Sequence, residues 1–184
     1  MEISKKNKIV YVLIAIILIA VIVIYFSNST NKLYGNDKES IKKVIKSIDG
    51  YEDESVEILE IKDFNDARVA VFLSNNNPAY IHFSKNSKGN YEWRNIEKHA
   101  SQSFSTFLIH FHISDVESSN SKFVIVTNQE NNIAKMELEV NKQVIEQEFS
   151  VNQKSVTWID LPKDDTLEFK YKYYDTNGNL LSDN

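Results

Sequence analysis

Between Ile9 and Phe26 the chain runs for 18 residues without a charge, an amide, a glycine or a proline. A helix that is apolar on every side finds no place on a water-exposed surface. At ~1.5 Å per residue such a helix covers about 27 Å of a ~30 Å hydrocarbon layer. Its many β-branched residues do not argue against a helix, because in lipid a lone segment satisfies its backbone hydrogen bonds only by helix formation. Tyr11, Tyr25 and Phe26 stand at the two ends, where aromatic rings favour the membrane–water interface. Ile9, Tyr11, Tyr25 and Phe26 therefore mark the expected limits of a single-pass anchor over 9–26. Lys5, Lys6 and Lys8 precede the run, and only Lys32 lies close after it. The positive-inside bias makes 1–8 a cytoplasmic tail and sends the C-terminus to the extracytoplasmic side of the cell membrane. A cleaved signal peptide would have a shorter apolar region followed by an A-x-A-like site. Ser27-Asn28-Ser29-Thr30-Asn31 has no such site.

Beyond the run, 27–35 is polar and reads as a spacer. Asn36 is placed to cap a helix, with Glu39 three residues on in capping-box position. Ile41, Val44, Ile45 and Ile48 recur at helical spacing, and Gly50 marks the stop. Four strands follow at Val56–Ile61, Ala67–Leu73, Tyr80–Ser84 and Tyr91–Ile96, separated by Asn-, Asp- and Gly-rich turns. Together these define an α+β unit over 36–98, one amphipathic helix on a four-stranded antiparallel meander, with Phe83 and Trp93 as expected core residues. The polar stretch Glu97–Ser103 contains the expected boundary. Phe107, Ile109, Phe111 and Ile113 then alternate, as do Phe123, Ile125 and Thr127. Met136, Leu138 and Val140, the pair Val156 and Trp158, and the set Leu167, Phe169, Tyr171 and Tyr173 continue that pattern. Short strands at this spacing predict an all-β, immunoglobulin-like sandwich over 103–184, either separate from the first unit or merged with it in one larger mixed domain.

The Gly89-Asn90-Tyr91-Glu92-Trp93 hairpin behind a leading helix resembles cystatin-like and related α+β modules of bacterial surface proteins. The Tyr173-Tyr174-Asp175 segment with Gly178-Asn179 resembles the last hairpin of immunoglobulin-like or fibronectin-type extracytoplasmic modules. As a whole, the chain resembles single-pass, membrane-anchored extracytoplasmic proteins of low-GC Gram-positive bacteria. The resemblance implies an architecture and a location, and no activity.

Composition narrows the chemistry. There is no cysteine, which excludes disulfides, thiolate metal ligands and a cysteine nucleophile. The formal net charge is −5. With Glu2 and the three leading lysines set aside, the remainder carries about −7, the wrong sign for nucleic acid. No G-x-S-x-G, S-x-x-K or H-E-x-x-H motif is present, and four glycines leave no phosphate-binding loop. His110 and His112 form an H-x-H pair, which alternation places on one face of a strand at a spacing that suits two ligands of one metal. The same alternation sets them opposite Phe107, Ile109 and Phe111, so two solvent-facing histidines account for the pair. His82, His99, Asp115 or Glu117 would have to complete a metal site. Asp175-Thr176-Asn177-Gly178-Asn179 has the flavour of a calcium loop without the distal glutamate, and a hairpin turn accounts for it. Of the aromatic residues near the C-terminus, only Tyr174 falls on the outer face, where it is a candidate contact residue.

These features predict a non-enzymatic, membrane-anchored extracytoplasmic protein without a cofactor, which binds a protein partner at the cell envelope. A ligand- or metal-binding envelope module using His110 and His112 is the alternative, and an envelope hydrolase the third reading.

Overall fold

The computed structural model describes residues 5–30, 32–111, 120–162 and 166–183. They fall into two units, 1–33 and 34–184. The first contains α1 (Lys5–Thr30). Its described side chains, Tyr11 and 13–24, are all exposed. Among the described residues no helix is long and apolar enough to cross a membrane. The side chains of Ile9, Val10, Val12, Tyr25 and Phe26 lie outside the described residues, so of the four positions expected to mark an anchor only the side chain of Tyr11 is described.

The second unit is mostly antiparallel β-sheet, and among the described residues no sheet closes into a barrel. Its helix, α2 (Lys38–Lys46), buries Ile41, Val44 and Ile45, and Ile48 packs beside them. The cap is Asp37, one residue later than the sequence suggested. Its carboxylate accepts from the backbone N–H of Glu39 (3.0 Å) and Ser40 (2.9 Å). Ser40, not Glu39, closes the capping box. Asn36 is drawn away by Tyr91, whose N–H donates to Asn36 Oδ1 at 2.9 Å. Ser47 caps the helix C-terminus, so Gly50, at φ +85°, belongs to the turn beyond it.

β1 (Val56–Phe64), β2 (Ala67–Ser74), β3 (Asn77–Lys85) and β4 (Tyr91–Lys98) form a meander in the order β1-β2-β3-β4. Asn75 and Asn76 both take positive φ in the two-residue β2–β3 turn, a conformation that asparagine tolerates. β5 (Phe104–Phe111), β6 (Asn120–Thr127) and β9 (Ser155–Asp160) form a second sheet in the order β5-β6-β9. β7 (Lys135–Val140), β8 (Gln143–Glu148), β10 (Phe169–Tyr174) and β11 (Leu180–Asp183) form a third in the order β11-β10-β7-β8.

Three hydrophobic clusters stack these layers. Phe72, Ile81 and Phe83 face α2. Val69, Val71 and Tyr80, on the opposite face of the first sheet, meet Phe107, Ile109 and Val124 of the second. Phe123 and Ile125, on the far face of the second sheet, meet Met136, Leu138 and Val140 of the third. The layers therefore run helix, first sheet, second sheet, third sheet. The 99–102 stretch is a link between two sheets that share a core, inside one compact unit. Trp93 departs from expectation: it is 45% exposed, because β4 is the outer strand of its sheet. Ile113 lies outside the described residues.

Candidate functional site

The second sheet ends in a strand unlike the other outer strands. Phe104-Ser105-Thr106-Phe107-Leu108-Ile109-His110-Phe111 is rich in aromatic and β-branched residues, which favour extended backbone. It pairs with β6 through eight consecutive registers, Phe104↔Thr127 to Phe111↔Asn120, without a bulge. No described strand borders its other side. Sheet edges are ordinarily blunted by charge, bulges, proline or shortness. β1 has a register shift at Ile58/Glu60 and carries Glu57, Glu60 and Lys62. β4 has one at His82/Phe83 and carries Glu92, Arg94 and Glu97. β8 ends in Glu146-Gln147-Glu148, β9 ends on Asp160, and β11 is four residues long with a shifted register. β5 uses none of these devices.

The free edge of β5 borders an open cleft of about 660 Å³. One wall comes from the first sheet. β1 lies over β9, with Lys154 Nζ 2.7 Å from Glu57 Oε2 and Trp158 donating to Glu60 at 3.0 Å. β4, at the other end of that sheet, accordingly falls on the β5 side. There the His99 ring lies 4.4 Å and the Tyr80 ring 5.2 Å from Phe107. From His99 in this wall a polar chain leads along β4. Asn95 Nδ2 donates to the Tyr80 hydroxyl at 2.9 Å, and His99 Nε2 sits 3.0 Å from Glu97 Oε1. Burial, reinforced by the Glu97 carboxylate, pushes the Tyr80 phenol up to about 12. The opposite wall is apolar: Phe104 meets Tyr173 edge-on at 5.4 Å, with Ile133 beside them. Burial pushes the Tyr173 phenol up to about 12 as well. Ser105 is 3% exposed, and its hydroxyl has no hydrogen-bond partner among the described residues.

The residues singled out by sequence lie elsewhere. His110 is exposed on β5, with Nδ1 2.8 Å from Ser121 Oγ. It faces the opposite side of that strand from Phe107 and Phe111, against which His99 and His82 pack. His112, Asp115 and Glu117 lie outside the described residues. Among the described residues no group of three His, Asp or Glu side chains is placed to hold a metal. Asp175 is occupied by its own hairpin: its carboxylate accepts from the N–H of Asn177 (2.8 Å) and Asn179 (2.9 Å) and from Asn179 Nδ2 (2.9 Å). The Asn179 side chain and these N–H groups hold it below the usual carboxylate range. Tyr174 stands on the outer face of the third sheet, where its hydroxyl donates to Glu137 Oε2 at 2.9 Å and Lys135 Nζ lies 4.6 Å from its ring centre. Sequence reading missed the β5 groove, although eight successive residues without charge, glycine or proline were a visible signal.

Comparison with known proteins finds no family model that matches, and no similar curated protein or solved structure.

Proposed function

We propose that this is a non-enzymatic, single-pass membrane protein whose β-rich body binds a protein partner on the extracytoplasmic side of the cell envelope. The observation that carries the reading is α1, whose described side chains from Leu13 to Ile24 are all apolar and all exposed. Water penalises such a surface, whereas hydrocarbon does not. The three lysines before it support a cytoplasmic N-terminus. Binding rather than catalysis is supported by how the body's ionisable groups are used. Arg68 with Asp63, Lys98 with Glu54 and Lys122 with Asp160 join neighbouring strands or a strand to a loop.

The second and third sheets place the first, second and fifth strands of 103–184 against the third, fourth, sixth and seventh. Immunoglobulin-like sandwiches divide strands A, B and E from C, F and G in this way. That division supports an immunoglobulin-like module, an architecture used widely at cell surfaces.

The test is crosslinking in intact native cells, followed by gentle solubilisation and mass spectrometry. One dominant envelope protein in near-equal amount is the expected result. Recovery of the uncrosslinked monomer alone would overturn the reading.

A further inference from the structure

We infer that the free edge of β5 accepts an extended segment of the partner protein as an added strand, with apolar side chains on one face and basic or hydroxyl side chains on the other. This deepens the binding reading above and rests on it. The edge itself specifies the kind of occupant. A regular strand without bulge or charge presents a row of backbone N–H and C=O groups, and another extended backbone matches that row. Alternate side chains of the added strand then meet different walls. Those facing the first sheet meet His99, which lines the cleft; Glu97, bonded to His99 Nε2 at 3.0 Å, supplies negative charge on that side for a basic residue, while Lys98 is paired with Glu54 at 2.5 Å. Those facing the third sheet meet the rings of Phe104 and Tyr173.

The experiment uses the full chain in detergent micelles and a blocked heptapeptide of alternating valine and lysine, read by amide hydrogen exchange. The expected result is at least tenfold slower exchange across 104–111, with 143–148 of β8 unchanged. The same peptide with a central proline should give no protection, because proline lacks the donor a strand needs. This comparison is made on the unaltered protein. Thr106→Lys, a charge placed on the edge, should abolish the protection, whereas Val144→Lys on β8 should leave it intact. The inference is overturned by no protection, by equal protection of β8, or by protection that appears without peptide as protein concentration rises, which would make a second copy the occupant. In the cellular crosslinking, a partner retained by Thr106→Lys overturns the groove but leaves the binding reading standing. No partner for the unaltered chain overturns that reading instead.

Discussion

Gly35→Ala is the sharpest test of how the first sheet is packed. A Cβ on Gly35 would stand 2.6 Å from Phe83 Cζ and 2.7 Å from Cδ1, where carbon atoms in contact keep ~3.5–4.0 Å. Neither side can retreat easily. The Gly35 N–H donates to the Tyr91 carbonyl at 2.8 Å, and its carbonyl accepts from Arg68 Nη1 at 3.0 Å. Phe83 is 0% exposed, inside the cluster that includes Ile41, Phe72 and Ile81. Overpacking of this kind destabilises by roughly 1–3 kcal/mol. Phe83→Leu should remove the clash while losing part of a buried ring, a loss of roughly 1–2 kcal/mol, below the 3–5 kcal/mol typical of Phe→Ala. The two changes therefore couple, and the double variant should be more stable than the sum of the singles by at least ~0.5 kcal/mol. Urea denaturation followed by tryptophan fluorescence measures this, since Trp93 and Trp158 both lie in the second unit. With a slope of ~1–3 kcal/mol per molar urea, a loss of ~2 kcal/mol moves the midpoint by about 1 M. A Gly35→Ala variant as stable as the parent, or strict additivity with Phe83→Leu, would refute the reasoning.

Three further outcomes follow from the same layers. Phe123 is 1% exposed and stacks on Phe169 at 5.8 Å, so Phe123→Ala should lower unfolding stability by ~3–5 kcal/mol in urea titration. Ser105→Ala should leave stability unchanged or raise it by about 1 kcal/mol, because it removes a buried hydroxyl without a described partner; a loss greater than ~1 kcal/mol would show that the hydroxyl is bonded. The Arg68 guanidinium, 2.6 Å from Asp63 Oδ1, holds that carboxyl below its ordinary range. A depressed folded-state value contributes stability that is present above the unfolded value of ~3.9 and is lost as pH falls through the folded one. Urea midpoints should therefore fall below about pH 4, and Asp63→Asn should flatten that part of the profile.

Local order was largely legible in the sequence, and layer assembly was not. The stripe Ile41, Val44, Ile45 announced a helix with one buried face, and that face covers the first sheet. The alternation of Met136, Leu138 and Val140 located a strand buried on one side only. The helix cap was misplaced by one residue because Asn36 and Asp37 are both good caps, and a tertiary bond to the Tyr91 N–H decided between them. Trp93 looked like core, but nothing local reveals that β4 is an outer strand. The stacking of three sheets did leave a trace. Val69-Ala70-Val71-Phe72-Leu73 and Phe123-Val124-Ile125-Val126 are unbroken apolar runs, the pattern of strands covered on both faces. Reading Phe123, Ile125 and Thr127 as an alternating strand hid the contact between the two regions. The groove was harder to see, because a free edge is defined by which strand is missing beside it, and pairing is long-range.

The most direct test of the account places a photocrosslinking amino acid at Thr106 and, separately, at Val144 in the full chain in its native cells. Thr106 lies on the β5 edge. Val144 is 60% exposed on β8, at the far edge of the third sheet from β11. The expected result is a single dominant adduct with an envelope protein from position 106 and none from position 144. Adducts of equal yield from both positions, or an adduct from 144 alone, would contradict it.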